Sequence, residues 1–212
     1  MRVLELFSGT RSVGKCCDEL GWESVSLDIN DNCDIKCDIM EWDYTIYKPN
    51  YFDIIWASPP CASFSKLQYC SIGKKMKDGN IKTHKTIEDN MINNGDPIVR
   101  RTLEIIEYFK PSLWFIENPF TGQLKNREYM KDLSFYDVDY CMYSNWGYKK
   151  KTRIWTNKTH WKGKKCNKKC GNIDENGNHF MLIGKQDNGY GYTTLEQRYR
   201  VPPDLIYSLF LE

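Results

Sequence analysis

At 212 residues, with 41% hydrophobic and 27% charged residues, the chain has the size and composition of one folded domain with its own core, which excludes a disordered polymer. The net charge of +2 is too small to select a partner, because a basic face can hide within a near-neutral total. Nine cysteines, an odd number without even spacing, exclude a disulfide scaffold and read as reduced thiols; no apolar run approaches bilayer length and no signal-peptide core opens the chain, so a soluble intracellular protein, cytoplasmic or nucleoid/nuclear, with no membrane partner is expected.

Residues 3–7 read as a short apolar strand, Ser8-Gly9-Thr10 as a tight turn, and residues 12–20 as a helix stopped by Gly21. Residues 23–29 predict a second strand with Asp28 near its end, and residues 34–38 a short third unit. The apolar run at 52–57, FDIIWA, marks a strand covered on both faces; Ser58-Pro59-Pro60 must end it, since proline cannot donate to a ladder. Residues 66–96, polar and lysine-rich, predict one long loop. Ile98, Leu103, Ile105, Ile106 and Phe109 place an amphipathic helix over 98–109, and residues 114–116 form another buried strand before Glu117-Asn118-Pro119. Residues 137–143 and 152–156 are expected to pair as late strands, 158–180 to be a basic loop, and the region after Pro202-Pro203 to hold a terminal helix.

This alternation predicts an α/β fold: a doubly wound, mostly parallel Rossmann-like sheet with a small C-terminal basic appendage. The expected division is a catalytic unit over 1–157, a short basic recognition region over 158–192, and a segment over 193–212 that returns to the first unit. Ligands of such sheets bind at the carboxyl ends of the strands, and there the polar residues cluster: Ser8-Gly9, Asp28, Asp38, Pro59-Pro60-Cys61 and Glu117-Asn118. The turn at Ser8-Gly9 brings backbone amides toward a nucleotide-like ligand. With no second glycine until Gly14 it is not a dinucleotide fingerprint, which disfavours a nicotinamide enzyme. Asp28 either holds ribose hydroxyls or caps a turn, and Asp38 carries the same two readings. Cys61, aimed by two prolines, has the placement of a nucleophile; the alternative, a small buried hydrophobe, suits a loop position less well.

Together these motifs resemble the cytosine-C5 DNA methyltransferase family over nearly the whole chain and in the family's order. Phe7-Ser8-Gly9 matches its S-adenosylmethionine turn, SPPCASFS its Pro-Cys loop, Glu117-Asn118-Pro119 its Glu-Asn-Val motif, Lys149 to Arg153 its Gln-x-Arg-x-Arg motif, and Val201-Pro202-Pro203 its late Val-Pro-Pro segment. The resemblance implies a class I S-adenosylmethionine-dependent methyltransferase acting on a cytosine flipped out of DNA. Cys61 would add to C6, Glu117 would serve N3 and Arg153 would serve O2. Phe7, Ser8, Gly9, Asp28, Asp38, Pro59 and Val201 would line the cofactor site, and Ser63, Ser65, Lys149, Lys151, Lys164 and Lys165 would meet nucleic acid.

Arg11 stands where the family usually has a glycine, lysines replace the glutamine and first arginine of the late motif, and the stretch for target recognition is short. Relaxed sequence specificity, or a protein partner that supplies recognition, is expected. An RNA cytosine-C5 methyltransferase and a non-catalytic subunit of a complex are the competing readings. Cys166 and Cys170, with His160 and His179 near, form an irregular set, so an ordinary surface loop and no metal centre are expected.

Overall fold

The structure, a computed structural model, describes residues 1–184 and 191–212. Seven strands, β1 (Arg2–Leu6), β2 (Glu23–Asp28), β3 (Ile35–Lys36), β4 (Ile54–Ala57), β5 (Leu113–Pro119), β6 (Phe135–Asp139) and β7 (Lys151–Thr156), form one sheet. Their order is β3-β2-β1-β4-β5-β7-β6, with the first five parallel and β7 antiparallel to both neighbours. This is the doubly wound, mostly parallel architecture expected from the sequence. The chain winds outward from β1 in one direction and from β4 in the other, so a crevice opens at the carboxyl ends of this central pair.

Side-chain alternation along the strands divides the core into two layers. Leu4, Leu6, Ile55, Ala57, Ile116 and Trp155 face α3 (Asp96–Phe109), preceded in the chain by α2 (His84–Asn90). Val3, Ile54, Trp56, Phe115 and Ile154 face α1 (Ser12–Leu20) and the late helix α5 (Pro203–Leu211). Burial of both faces explains why the central strands read as unbroken apolar runs. A two-stranded sheet, β8 (Met181–Leu182) with β9 (Gly191–Tyr192), and the short helix α4 (Leu195–Tyr199) complete the elements. No helix among the described residues is long and apolar enough to cross a membrane.

Three sequence expectations need correction. The loop expected over 66–96 holds a 3-10 turn at Lys66–Ser71, then α2, then a π-helical turn at Met91–Gly95 that runs straight into α3. Thr83 and Thr86 cap α2 reciprocally, and Ile87 and Met91, four residues apart, bury one face; the asparagines around them masked that signal. The strand expected over 137–143 stops at Asp139, and Tyr140–Met142 is a single 3-10 turn that carries Tyr140 into the core. Phe7 has left β1 and sits in the left-handed region at φ 60°. Residues 185–190, part of the expected basic region, lie outside the described residues.

Candidate active site

The turn after β1 is built on left-handed backbone at Phe7, Gly9 and Arg11. The Gly9 amide donates to Asp28 Oδ2 at 2.9 Å, while Asp28 Oδ1 accepts from the Asn30 amide at 2.9 Å and from Asn30 Nδ2 at 2.7 Å. Asp28 thus braces the turn, the capping alternative read from the sequence. Asp38 is exposed and accepts from the Met40 amide at 2.9 Å. Among the described residues, the Ser8 hydroxyl and Arg11 Nε are buried and meet no hydrogen-bond partner. Such orphans are rare and point to an absent ligand or water. Below the turn, Glu5 accepts from the Val13 and Gly14 amides in the first turn of α1, at 3.0 and 2.9 Å. Its burial pushes the carboxyl up to about 7, although those two amides pull the other way. From the far end of the chain, the Val201 amide donates to Ser12 Oγ at 3.0 Å, which brings the Val-Pro-Pro segment to the same turn.

Cys61 follows β4 on the Pro59-Pro60 stem. Asn118 Nδ2 donates to the Pro59 carbonyl at 2.9 Å and ties that stem to the end of β5. Glu117, buried, accepts from Tyr140 Oη at 3.0 Å and lies 3.3 Å from Lys150 Nζ. Lys150 Nζ sits 4.6 Å from the Tyr140 ring centroid and donates to the Arg198 carbonyl at 3.0 Å. Burial raises the Cys61 thiol above its ordinary value, the Glu117 carboxylate raises it further, and Lys150 opposes both. The three side chains therefore form one electrostatic group at the crevice.

Arg153 is not brought to that group. Glu117 is paired with Ile154 in register and Asn118 with Arg153, so the arginine points from the opposite face of the sheet. There it grips Asp137 through two hydrogen bonds, Nε to Oδ1 at 2.7 Å and Nη2 to Oδ2 at 3.0 Å, and lies 3.5 Å over the Phe135 ring. The cation beside Glu117 is Lys150, not Arg153. Period-two alternation from Glu117 through Ile154 and Thr152 is the signal that finds it. Lys149, Lys151 and Lys165 line one cavity of about 240 Å³ with Asp137 and Asp139. Lys164 lies outside that group, with its Nζ 5.3 Å from the Tyr143 ring centroid. Ser65 caps the following 3-10 turn by accepting from the Leu67 amide, and Ser63 packs beside Gly95. Finally, Cys141, Cys166, Cys170 and His179 converge, a grouping that revises the expectation of a plain surface loop; His160 is not part of it.

A "Probable DNA (cytosine-5)-methyltransferase" of Frog virus 3 (isolate Goorha) is 43% identical to this chain over 218 aligned residues, covering 99% of this chain and 98% of that protein. The chain belongs to the DNA (cytosine-5)-methyltransferase family. No protein-family profile matches it. Among solved structures, S. pombe Dnmt2 methyltransferase is similar at a TM-score of 0.42 and 14% identity, over 77% of this chain and 51% of that one. A Spodoptera frugiperda DNMT2 variant is similar at 0.43 and 15%, over 78% and 53%. This family member spans about half the length of those two proteins, and alignments at that level fix no residue correspondence. The family assignment therefore rests on the full-length viral relative and accords with the Rossmann-like sheet.

Proposed function

We propose that the protein methylates C5 of cytosine in DNA through a covalent bond between Cys61 Sγ and cytosine C6. S-adenosylmethionine supplies the methyl group, which its sulfonium makes electrophilic. The orphaned Ser8 hydroxyl and Arg11 Nε suit the hydroxyls and carboxylate of that molecule. By the motif resemblance Phe7, Gly9, Pro59 and Val201 would line the cofactor site and Asp38 would offer its remaining oxygen, while Asp28 acts by fixing Gly9.

Cytosine C5 is too weak a nucleophile to take the methyl group unaided. Cys61 gives an electron pair to C6, which makes C5 enamine-like and moves negative charge to N3 and O2. As Cys61 attacks, its thiol proton passes to the Glu117 carboxylate, which Tyr140 and Lys150 orient and which delivers that proton to N3; Lys150 supplies the cation near O2 in place of Arg153. Once C5 carries the methyl group, a base removes the C5 proton. The electrons of that bond then expel Cys61 as thiolate. A duplex base must leave the stack to reach Cys61. Lys149, Lys151 and Lys165 flank the approach, where cations neutralise phosphate without reading sequence.

The observation that carries this reading is the coupling of a proline-mounted cysteine to a buried carboxylate and a lysine at the ends of neighbouring strands. The test incubates the protein with tritiated S-adenosylmethionine and mixed-sequence duplex DNA, beside Cys61→Ala and a parallel RNA substrate. Label should appear as 5-methylcytosine in DNA and vanish in the variant. Label confined to RNA would transfer the activity to that substrate, and no label in either, with cofactor bound, would overturn the reading.

A further inference from the structure

We propose that Cys141, Cys166, Cys170 and His179 bind one zinc ion in a closed, structural site that fastens the basic segment to the edge of the catalytic sheet. The four ligand atoms all lie within 4.8 Å of one another. His179 Nε2 is 3.6 Å from Cys166 Sγ and 3.4 Å from Cys170 Sγ. A tetrahedral ion with Zn–S near 2.3 Å and Zn–N near 2.05 Å requires S···N edges of about 3.6 Å. The two edges from His179 to Cys166 and Cys170 already have that length, and the fourth ligand atom lies close enough to complete the set.

The ligands come from separated parts of the chain. Cys141 is buried in the 3-10 turn after β6, Cys166 and Cys170 follow β7, and His179 precedes β8. Chance proximity of three thiols and an imidazole from three segments is a weak explanation, because their backbone supports are also built. The Lys168 amide points at Cys166 Sγ from 3.4 Å, the kind of N–H···S contact that orients a thiolate ligand. The Cys166 amide donates to Asp139 Oδ2 at 2.7 Å. Buried Asn172 donates to the carbonyls of Cys141, Ser144 and Cys170 at 2.9, 2.8 and 3.2 Å and accepts from the Gly147 amide at 2.9 Å. It clamps the two cysteine-bearing loops together.

The segment also needs the staple. Of the described residues from 157 to 184, only Trp161 and Asn172 are buried. A stretch with so little core cannot hold one conformation by apolar burial, and a structural metal is a common substitute. A disulfide is the poorer account: it would join two of the three thiols and strand the third beside an imidazole. Four protein ligands leave no open position, so the ion takes no part in methyl transfer; soft thiolates with one imidazole select zinc over magnesium or calcium.

The test measures metal in the full-length protein purified without chelator from zinc-supplemented medium. Elemental analysis should find about one zinc per chain, released by a thiol-reactive mercurial. Replacement with cobalt(II) should give tetrahedral d–d bands and thiolate charge-transfer absorption. Cys170→Ala and His179→Ala should lose the metal, His179→Cys should keep it because four thiolates also satisfy zinc, and Cys70→Ala, at an exposed cysteine elsewhere, should change nothing. Iron in place of zinc, absence of stoichiometric metal together with absence of cobalt bands, or equal metal in Cys170→Ala and the unaltered chain would each overturn the proposal. The His179→Cys variant keeps it falsifiable should the alanine variants fail to fold.

Discussion

The Glu117 carboxylate and the Lys150 ammonium pull the Cys61 thiol in opposite directions, and that opposition can be measured. Replacing Glu117 with Gln removes the like charge and should bring the thiol down; Lys150→Met should push it up. Iodoacetamide alkylation of Cys61, followed by mass spectrometry from pH 6 to 10, should show its midpoint fall in the first variant and rise in the second. Identical midpoints would mean that the three groups do not share one field. Turnover separates the two cations as well. Lys150→Met should lower kcat by about a hundredfold if it stabilises developing charge. Arg153→Met should leave kcat within a few-fold and instead lower the urea midpoint, since it abandons Asp137. Glu5 supplies a pH signature of folding. Its carboxyl, raised from 4.5 to about 7, keeps a proton in the folded state that the unfolded chain has lost. Stability contributed by that proton is present below about pH 4.5 and disappears as pH rises toward 7, a difference of roughly 3 kcal/mol. Urea unfolding of the unaltered chain against Glu5→Gln, at pH 5 and 7.5, should show the difference between them change by that order. At this scale Cys61, Glu117 and the Phe7-Ser8-Gly9 turn stood out in the sequence because prolines or a glycine turn sit beside them at the ends of apolar strands. Lys150 did not, since a run of three lysines does not say which one shares a face with Glu117 until the register is known.

At the scale of elements, the helical stretch from α2 through the π turn into α3 decides how the nucleophile loop is seated. Gly95 ends the π turn, and a Cβ there would stand 2.7 Å from Phe64 Cζ. Phe64 is almost wholly buried and belongs to the same loop as Cys61. The Gly95 backbone has φ −86°, which alanine adopts freely, so Gly95→Ala tests steric contact alone. It should cost about 1–3 kcal/mol of stability and lower methyl transfer while cofactor affinity stays near its original value. Calorimetric titration of the cofactor beside turnover checks this; unchanged turnover would detach the π turn from the site. The wide opening of the helix explains why the stretch reads as a loop: a π turn breaks the 3.6-residue period, and glycine with asparagines is the composition of connections. The central strands were legible for the opposite reason. The β4 and β5 strands are apolar on both faces and run into Ser58-Pro59-Pro60 and Glu117-Asn118-Pro119, a pattern that needs no tertiary knowledge.

At the scale of the molecule, α5 lies against α1, with Phe210 stacked on Trp22 and Tyr207 Oη bonded to Glu19. The Val201 amide on Ser12 Oγ completes the closure. Ser12→Ala should therefore lower stability by about 1 kcal/mol and weaken binding of the cofactor more than it changes kcat. Urea unfolding and equilibrium binding measure the two parts, and equal affinity in the variant would show that the late segment does not shape the cofactor turn. The doubly wound, mostly parallel architecture followed from the sequence pattern; the strand order did not. That residues 201–211 come to α1 was not read from the sequence, because no local propensity announces a partner 189 residues away.

That long return has a temporal meaning. During synthesis the elements nearest the start emerge first and begin to fold, yet the layer containing Val3, Val13 and Cys17 stays uncovered until Leu205, Ile206 and Leu209 have left the ribosome. A chain stalled before residue 201 would present an unfinished cofactor turn and an open apolar groove. The ability to modify DNA would therefore switch on late and abruptly, once residues 201–211 are free to fold onto that layer.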